Sequence, residues 1–82
     1  MRILVVEDNR TLAEGLVTVL RGAGYAVDAV HDGASADAVL ATEPFDLVIL
    51  DLNLPDREGL DVLRALRARR TMSAVLILTA RG

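Results

Sequence analysis

Two apolar runs in this 82-residue chain end in carboxylates. The run 45–50 is followed by Asp51, and the run 2–6 is followed by Glu7 and Asp8. Short runs of Val, Ile and Leu are typical of strands that are buried on both faces of a parallel sheet. A residue that follows such a strand lies at the sheet edge where ligands bind in open α/β folds. The two runs therefore predict a shared acidic site, provided that their strands are neighbours.

Three carboxylates at one sheet edge repel one another, and a cation relieves that repulsion. Mg²⁺ suits them, because it takes one or two carboxylates, a carbonyl and several waters and leaves room for phosphate oxygens. Such a site could support phosphoryl transfer to a carboxylate, since aspartate is a covalent nucleophile in that chemistry. Thr79 ends the last apolar run, so its hydroxyl could donate to a bound phosphoryl group, and the small Ala80 would leave the approach open.

The composition excludes several other kinds of site. The chain has no cysteine and a single histidine, His31, so disulfides, thiolate zinc sites and cysteine nucleophiles are excluded and Ser-His-Asp catalysis is poorly supplied. The net charge is −3 and only two residues are aromatic, which argues against nucleic-acid binding by stacking or by a positive field. The apolar runs are far shorter than the ~18–20 residues of a membrane span, and no signal peptide is visible. We expect a cytoplasmic protein with no membrane partner.

Strand and helix periodicities alternate along the whole chain. Predicted strands cover 2–6, 25–30, 45–50 and 74–79, and predicted helices cover 10–22, 34–42 and 58–69. This βαβαβαβ order predicts an α/β fold with a doubly wound parallel sheet and helices on both faces. A switch point in that sheet would make the first and third strands neighbours and bring Glu7, Asp8 and Asp51 within a few ångströms.

The predicted helices are amphipathic. Asp8 or Asn9 can cap the first helix, and Gly22 and Gly24 can end it. Its predicted apolar face consists of Leu12, Leu16, Val19, Leu20 and Ala23. The third helix sets an apolar face against a solvated arginine face, which comprises Arg64, Arg67, Arg69 and Arg70.

These motifs together resemble the receiver domain of two-component response regulators. The matching segments are 3–8, 46–55, Gly59 and 75–80, within a likeness that covers residues 1–82. The resemblance implies a flavodoxin-like, CheY-like fold with strand order 2-1-3-4-5. The family's domain continues with a helix, a fifth strand carrying a lysine and a last helix, and this chain has no lysine. Residues 1–82 are therefore expected to be the N-terminal part of one receiver domain, incomplete after the fourth strand.

The resemblance also implies roles for individual residues. Asp51 would accept a phosphoryl group from a sensor histidine kinase. Asp8, Asp51 and the Asn53 carbonyl would bind Mg²⁺, with Glu7 acting through a coordinated water. Thr79 would be the switch hydroxyl that follows the phosphoryl group. Likeness to the winged-helix class of transcription factors implies a DNA-binding output domain outside this chain.

Two other functions remain open. The chain could be a receiver-like dimerisation or binding module that does not use phosphate. It could also be a phosphohydrolase with an aspartyl-phosphate intermediate, although such enzymes usually carry a second acid where this chain has Asn53. We expect that the chain is not an enzyme. The strand 74–79, lacking an outer neighbour, is expected to be an exposed apolar edge that promotes self-association.

Some polar residues have simpler interpretations. His31 is expected to be an exposed turn residue, because no partner motif accompanies it. Asp56 and Glu58 are expected to be turn or helix N-terminal charges. Pro55 and Gly59 are expected to form the turn after Asp51.

Overall fold

Four strands and three helices alternate along the chain in the predicted order. The computed structural model describes residues 1–69 and 72–78. The strands are β1 (Arg2–Val6), β2 (Ala26–Val30), β3 (Leu47–Asp51) and β4 (Ala74–Leu78), and the helices are α1 (Arg10–Gly22), α2 (Gly33–Thr42) and α3 (Gly59–Ala68). Within the described residues no helix is long and apolar enough to cross a membrane.

The four strands form one parallel sheet in the order β2-β1-β3-β4. The chain leaves β1 for β2 on one side and then returns past β1 to β3 on the other side. The predicted switch point is therefore present between β1 and β3, and the α/β fold class is confirmed. Val6 is the register partner of both Val30 and Leu50, so the carboxyl ends of β2, β1 and β3 are level with one another.

Alternate residues of the central strands fill two cores, one on each face of the sheet. All four residues from Ile3 to Val6 are completely buried. The core under α2 and α3 contains Leu4, Val6, Ala36, Leu40, Phe45, Val48, Leu50, Val62 and Leu66. The core under α1 contains Ile3, Val5, Ala13, Val27 and Ile49. Each large apolar side chain buried in this way contributes about 1.5–3 kcal/mol, so the two central strands are held from both sides.

Helix α1 covers its face of the sheet with a different set of side chains from the predicted one. Ala13 is buried, and the partly buried residues that pack on the core beside it are Leu16, Val17 and Leu20. Leu12 is 47% exposed and Val19 is 71% exposed, so these two residues of the predicted apolar face are not part of the core. The apolar stripe of α1 is wider than the surface that β1 and β2 offer to it, and the outer part of the stripe faces solvent.

The ends of α1 follow the predicted signals. The Asn9 side chain caps the helix by accepting the Leu12 backbone N–H at 3.1 Å. Gly24 follows the helix with a φ of 97°, a conformation that side chains other than glycine rarely adopt.

The two edges of the sheet have different chemistry. At the β2 edge, the exposed Asp28 interrupts the apolar sequence and pairs with Arg2 at 3.0 Å. Strand β4 is wholly apolar, and Leu76 and Ile77 are 51% and 39% exposed. These exposures agree with the predicted exposed apolar edge, because β4 pairs only with β3 in the part of the chain that is described.

The start of α3 lies very close to the end of β3. The Gly59 N–H donates to the Leu52 carbonyl at 2.9 Å. A Cβ on Gly59 would lie 2.4 Å from the Asp51 carbonyl oxygen and 2.8 Å from Leu52 Cα. Both neighbours are backbone atoms, so they cannot turn aside as a flexible side chain could. Glycine at this position therefore allows α3 to begin directly behind Asp51.

We expect Gly59→Ala to lower the free energy of unfolding by about 1–3 kcal/mol, because the new methyl group overpacks a contact between backbone atoms. Gly15→Ala is the matched control: the space around Gly15 is open, and the same change inside α1 should stabilise the chain by roughly 0.5–1 kcal/mol. Urea unfolding of both variants measures the difference. Equal stability of Gly59→Ala and the parent chain would contradict the close approach.

Candidate functional site

Three carboxylates meet at the carboxyl end of the sheet, as the strand pattern predicts. One carboxylate oxygen from each of Glu7, Asp8 and Asp51 lies within 4.8 Å of the other two. Asp51 is the last residue of β3, and the other two acids directly follow β1. Since Val6 and Leu50 are register partners, the next residues, Glu7 and Asp51, come side by side.

The three acids differ in their exposure to solvent. Glu7 is 4% exposed and Asp51 is 2% exposed, whereas Asp8 is exposed. Backbone amides partly satisfy the two buried carboxylates. The Asn9 N–H donates to Glu7 Oε2 at 3.0 Å, and the Asn53 N–H donates to Asp51 Oδ1 at 3.0 Å. Two carboxylates of the cluster are therefore buried, and the third, that of Asp8, is open to solvent.

Burial raises the pKa of Glu7 to about 7. The hydrogen bond from the Asn9 amide opposes this shift, while contacts with Asp8 and Asp51 add to it. Glu7 thus retains a proton to a higher pH than an ordinary glutamate does, and that proton reduces the repulsion among the carboxylates. A hard divalent cation that binds oxygen ligands could replace that proton, so the donor set fits Mg²⁺.

The loop 52–58 links Asp51 to α3. Asn53 and Glu58 form an antiparallel bridge at the base of the loop. Asp56 lies at a helix N-terminus, as expected for an acid, but the helix is α2. Its carboxylate accepts the Gly33 and Ala34 backbone N–H groups at 2.7 and 2.9 Å. These hydrogen bonds, chiefly the one from Gly33, hold the pKa of Asp56 below its ordinary value.

The predicted site residues have different outcomes. Glu7, Asp8 and Asp51 form one cluster. The backbone N–H of Asn53 contacts this cluster by donating to Asp51 Oδ1. Thr79, the predicted switch hydroxyl, lies outside the described residues.

His31 contacts the site more closely than the sequence suggested. It is partly buried, and its Nδ1 lies 2.9 Å from the Glu7 backbone carbonyl oxygen, which can accept a hydrogen bond from it. The expectation of an exposed turn residue is wrong, because β2 lies beside β1 in the sheet. The register of Val6 with Val30 places the next residues, Glu7 and His31, next to each other. Strand order is the signal that could have identified this contact.

We expect the metal-free chain to lose stability as the pH rises from about 4.5 to about 7, the window of the raised Glu7 pKa. The folded state binds this proton more tightly than the unfolded chain does, so deprotonation favours unfolding. Glu7→Gln keeps an acceptor for the Asn9 amide but has no proton to lose. It should remove this pH dependence and stabilise the metal-free chain at pH 8 by on the order of 1–3 kcal/mol. Unfolding curves at several pH values test this, and a parent chain with flat stability across the window would contradict it.

Known proteins with similar sequences and structures agree with this geometry. The chain is 48% identical over 81 residues to the response regulator protein PmrA of Pseudomonas aeruginosa and 48% identical over 82 residues to the transcriptional regulatory protein TctD of Salmonella typhimurium. The matches cover 99% and 100% of this chain but 37% of each relative. The response regulator TrrA of Thermotoga maritima, solved in complex with Mg²⁺ and BeF, superposes with a TM-score of 0.92 at 34% identity.

The structural match to TrrA covers 99% of this chain and 70% of that protein. A Francisella receiver domain superposes equally well, with a TM-score of 0.92 at 26% identity over 99% of this chain and 67% of that chain. The family model of the response regulator receiver domain matches residues 3–82. The chain thus belongs to the receiver domains of two-component response regulators.

Proposed function

We propose that this chain is a phosphoacceptor module in which Asp51 takes a phosphoryl group from a phosphohistidine of a sensor histidine kinase. The observation that carries the proposal is the cluster of Asp51 with Glu7 and Asp8 at the carboxyl end of the sheet. Asp51 is buried, is fixed by the Asn53 amide, and lies beside an exposed acid that can meet an incoming ligand.

The contacts of Asp51 distinguish the roles of its two carboxylate oxygens. Because Oδ1 accepts the Asn53 N–H, we assign nucleophilic attack to Oδ2. A bond forms between Oδ2 and phosphorus while the P–N bond of the donor breaks. The electron pair of that bond returns to the imidazole of the kinase, which takes a proton from solvent. The product is an acyl phosphate on Asp51.

Mg²⁺ is part of the proposal. Asp8, Asp51 and the Asn53 carbonyl would hold the ion, with Glu7 beside them. When bound, the ion would neutralise the carboxylates and the oxygens of the phosphoryl group. TrrA was solved with bound Mg²⁺ and BeF, and the similar response regulator MaeR was solved with bound beryllium trifluoride, and both complexes support this assignment. Thr79 is proposed as the switch hydroxyl on the strength of its sequence match alone.

The function of the whole protein is also a proposal, because the chain spans 37% of the length of PmrA and TctD. Because TctD is a transcriptional regulatory protein, we propose that the whole protein carries an output domain that binds DNA, and we assign that domain to the winged-helix class. We also propose a cytoplasmic location for this chain, which is consistent with an output domain that binds DNA. Asn53 stands where aspartyl-phosphate hydrolases carry a second acid, which supports a signalling module over an enzyme.

We expect Mg²⁺, alone and with beryllofluoride, to cause saturable amide shifts at Glu7, Asp8 and Asn53. Asp51→Asn should abolish the response to beryllofluoride, and Asp8→Asn should weaken Mg²⁺ binding by roughly 10-fold or more, since each removes a charged ligand of a hard cation. Asp61→Asn is the matched control, because Asp61 is an exposed acid on α3 whose side chain pairs with Arg64.

A folded chain that is silent in both titrations would contradict the phosphoacceptor proposal and favour a binding module that does not use phosphate. Steady release of phosphate from phosphate esters, lost in Asp51→Asn, would instead favour the phosphohydrolase.

We also propose that this 82-residue chain self-associates through β4. An apolar edge strand can pair with another strand when it contains no charged residue and no proline. Strand β4 contains no residue of either kind. The β2 edge is protected by Asp28, so the proposed partner is the β4 edge of a second copy.

We expect sedimentation to show dimers or larger species of the parent chain at high micromolar concentration. Leu76→Lys should shift the chain towards monomer, because a charge on an edge strand opposes pairing. Val19→Lys is the matched control: Val19 is at least as exposed but lies on α1, and its replacement should leave association unchanged. A monomeric parent chain would contradict the proposal, and dissociation by Val19→Lys alone would place the interface on α1.

A further inference from the structure

The loop 52–58 is attached to α2 through Asp56. Both oxygens of the Asp56 carboxylate are used: Oδ1 accepts the Gly33 N–H at 2.7 Å, and Oδ2 accepts the Ala34 N–H at 2.9 Å. Backbone N–H groups in the first turn of a helix have no partner within the helix, and the helix dipole favours a negative charge there. The tip of the loop is thus anchored to an element that lies more than twenty residues away in sequence.

Arg57 provides a second contact between the loop 52–58 and α2. Its guanidinium forms an ion pair with Asp37 of α2, and its Nε lies 3.7 Å from Asp56 Oδ2. The Arg57 side chain crosses directly over Gly33, where a Cβ would come within 2.3 Å of Arg57 Cγ. The absence of a side chain at Gly33 therefore allows the Arg57 side chain to lie across the start of α2.

The other end of the same loop contacts the phosphoacceptor. The Asn53 N–H donates to Asp51 Oδ1 at 3.0 Å, and the Asn53–Glu58 bridge closes the base of the loop. Leu54, between the two anchor points, packs on the core under α2 and α3. Asp56 and Asn53 are three residues apart, so only a short segment that includes the packed Leu54 separates the two anchor points.

We infer that Asp56 is a positioning residue of the acidic cluster: by docking the loop 52–58 on α2, it holds the Asn53 backbone against Asp51. Its effect on the loop needs only the contacts described above. Its effect on metal affinity rests on the proposed function, because the Asn53 carbonyl is there a proposed ligand. Mg²⁺ requires nearly ideal octahedral coordination, so a ligand oxygen on a mobile loop binds it less tightly than an oxygen whose position is fixed.

Asp56→Ala tests the inference, with Asp32→Ala as the matched control. The Asp32 side chain caps the same end of α2 by accepting the Ser35 N–H at 2.7 Å, but it is not part of the loop 52–58. Both variants remove a carboxylate from one helix end, and only Asp56→Ala releases the loop. Asp56→Asn keeps one acceptor oxygen and should give an intermediate result.

In the metal-free protein we expect Asp56→Ala to speed solvent exchange of the Asn53 amide by roughly 5-fold or more, and Asp32→Ala to leave it unchanged. With Mg²⁺ present, Asp56→Ala should weaken binding by roughly 3- to 10-fold, somewhat less than the 10- to 100-fold typical of partners that orient metal ligands, because Asp56 lies at the surface. Asp32→Ala should change the affinity by less than about 2-fold.

Equal effects of the two variants on Asn53 would show that Asp56 merely stabilises α2, and would overturn the inference. An unchanged Asn53 amide in Asp56→Ala would overturn it as well. If the parent chain does not respond to Mg²⁺, the proposed function fails, while the Asn53 amide of the metal-free protein still decides the role of Asp56.

Discussion

The parallel pairing of β1 with β3 is the constraint on which the rest of this structure depends. Both strands are buried on both faces, so their alternating side chains must fill two cores at once. A slip of one residue would exchange the two faces and leave both cores badly filled. The packing that fixes the register also fixes the residues beyond the strands. Glu7 and Asp51 are neighbours because Val6 and Leu50 are.

That pairing places acidic groups where burial opposes their charge. Burial raises the pKa of Glu7, and single backbone amides only partly compensate the two buried carboxylates. A local conflict of this kind is typical of functional sites, where a protein gives up some stability for chemistry. Elsewhere α1 and α2 have side-chain caps at Asn9 and Asp32, and residues Ile3 to Val6 and Val48 to Leu50 of the central strands are apolar and buried. The raised pKa of Glu7 therefore lies at the sheet edge that would bind the ligand.

The sequence predicted the features that depend on short-range patterns. Apolar runs marked the strands, and the carboxylates that follow them identified the cluster because both strands end at the same sheet edge. Features set by packing between distant elements were not predictable in this way. Periodicity put Leu12 and Val19 on the apolar face of α1, but it cannot show how much of that face the sheet covers.

The contacts of His31 with Glu7 and of Asp56 with α2 join residues more than twenty positions apart. Only the strand order, or the fold itself, reveals such contacts, because each pair consists of ordinary turn residues when the sequence is read locally. The family likeness supplied a role for Asn53, whereas the structure supplied the hydrogen bond through which its backbone contacts Asp51.

The strand order β2-β1-β3-β4 has a consequence for how the molecule folds. Its central strand β1 is made first, yet neither of its partners can pair with it until a whole helical crossover has been synthesised. Parallel pairings of this kind close long loops and are slow to form. Until β3 is available, one side of β1 remains an unpaired and largely apolar edge, which is a hazard for aggregation. The acidic cluster thus assembles late, because Asp51 belongs to β3 and follows Glu7 and Asp8 by more than forty residues.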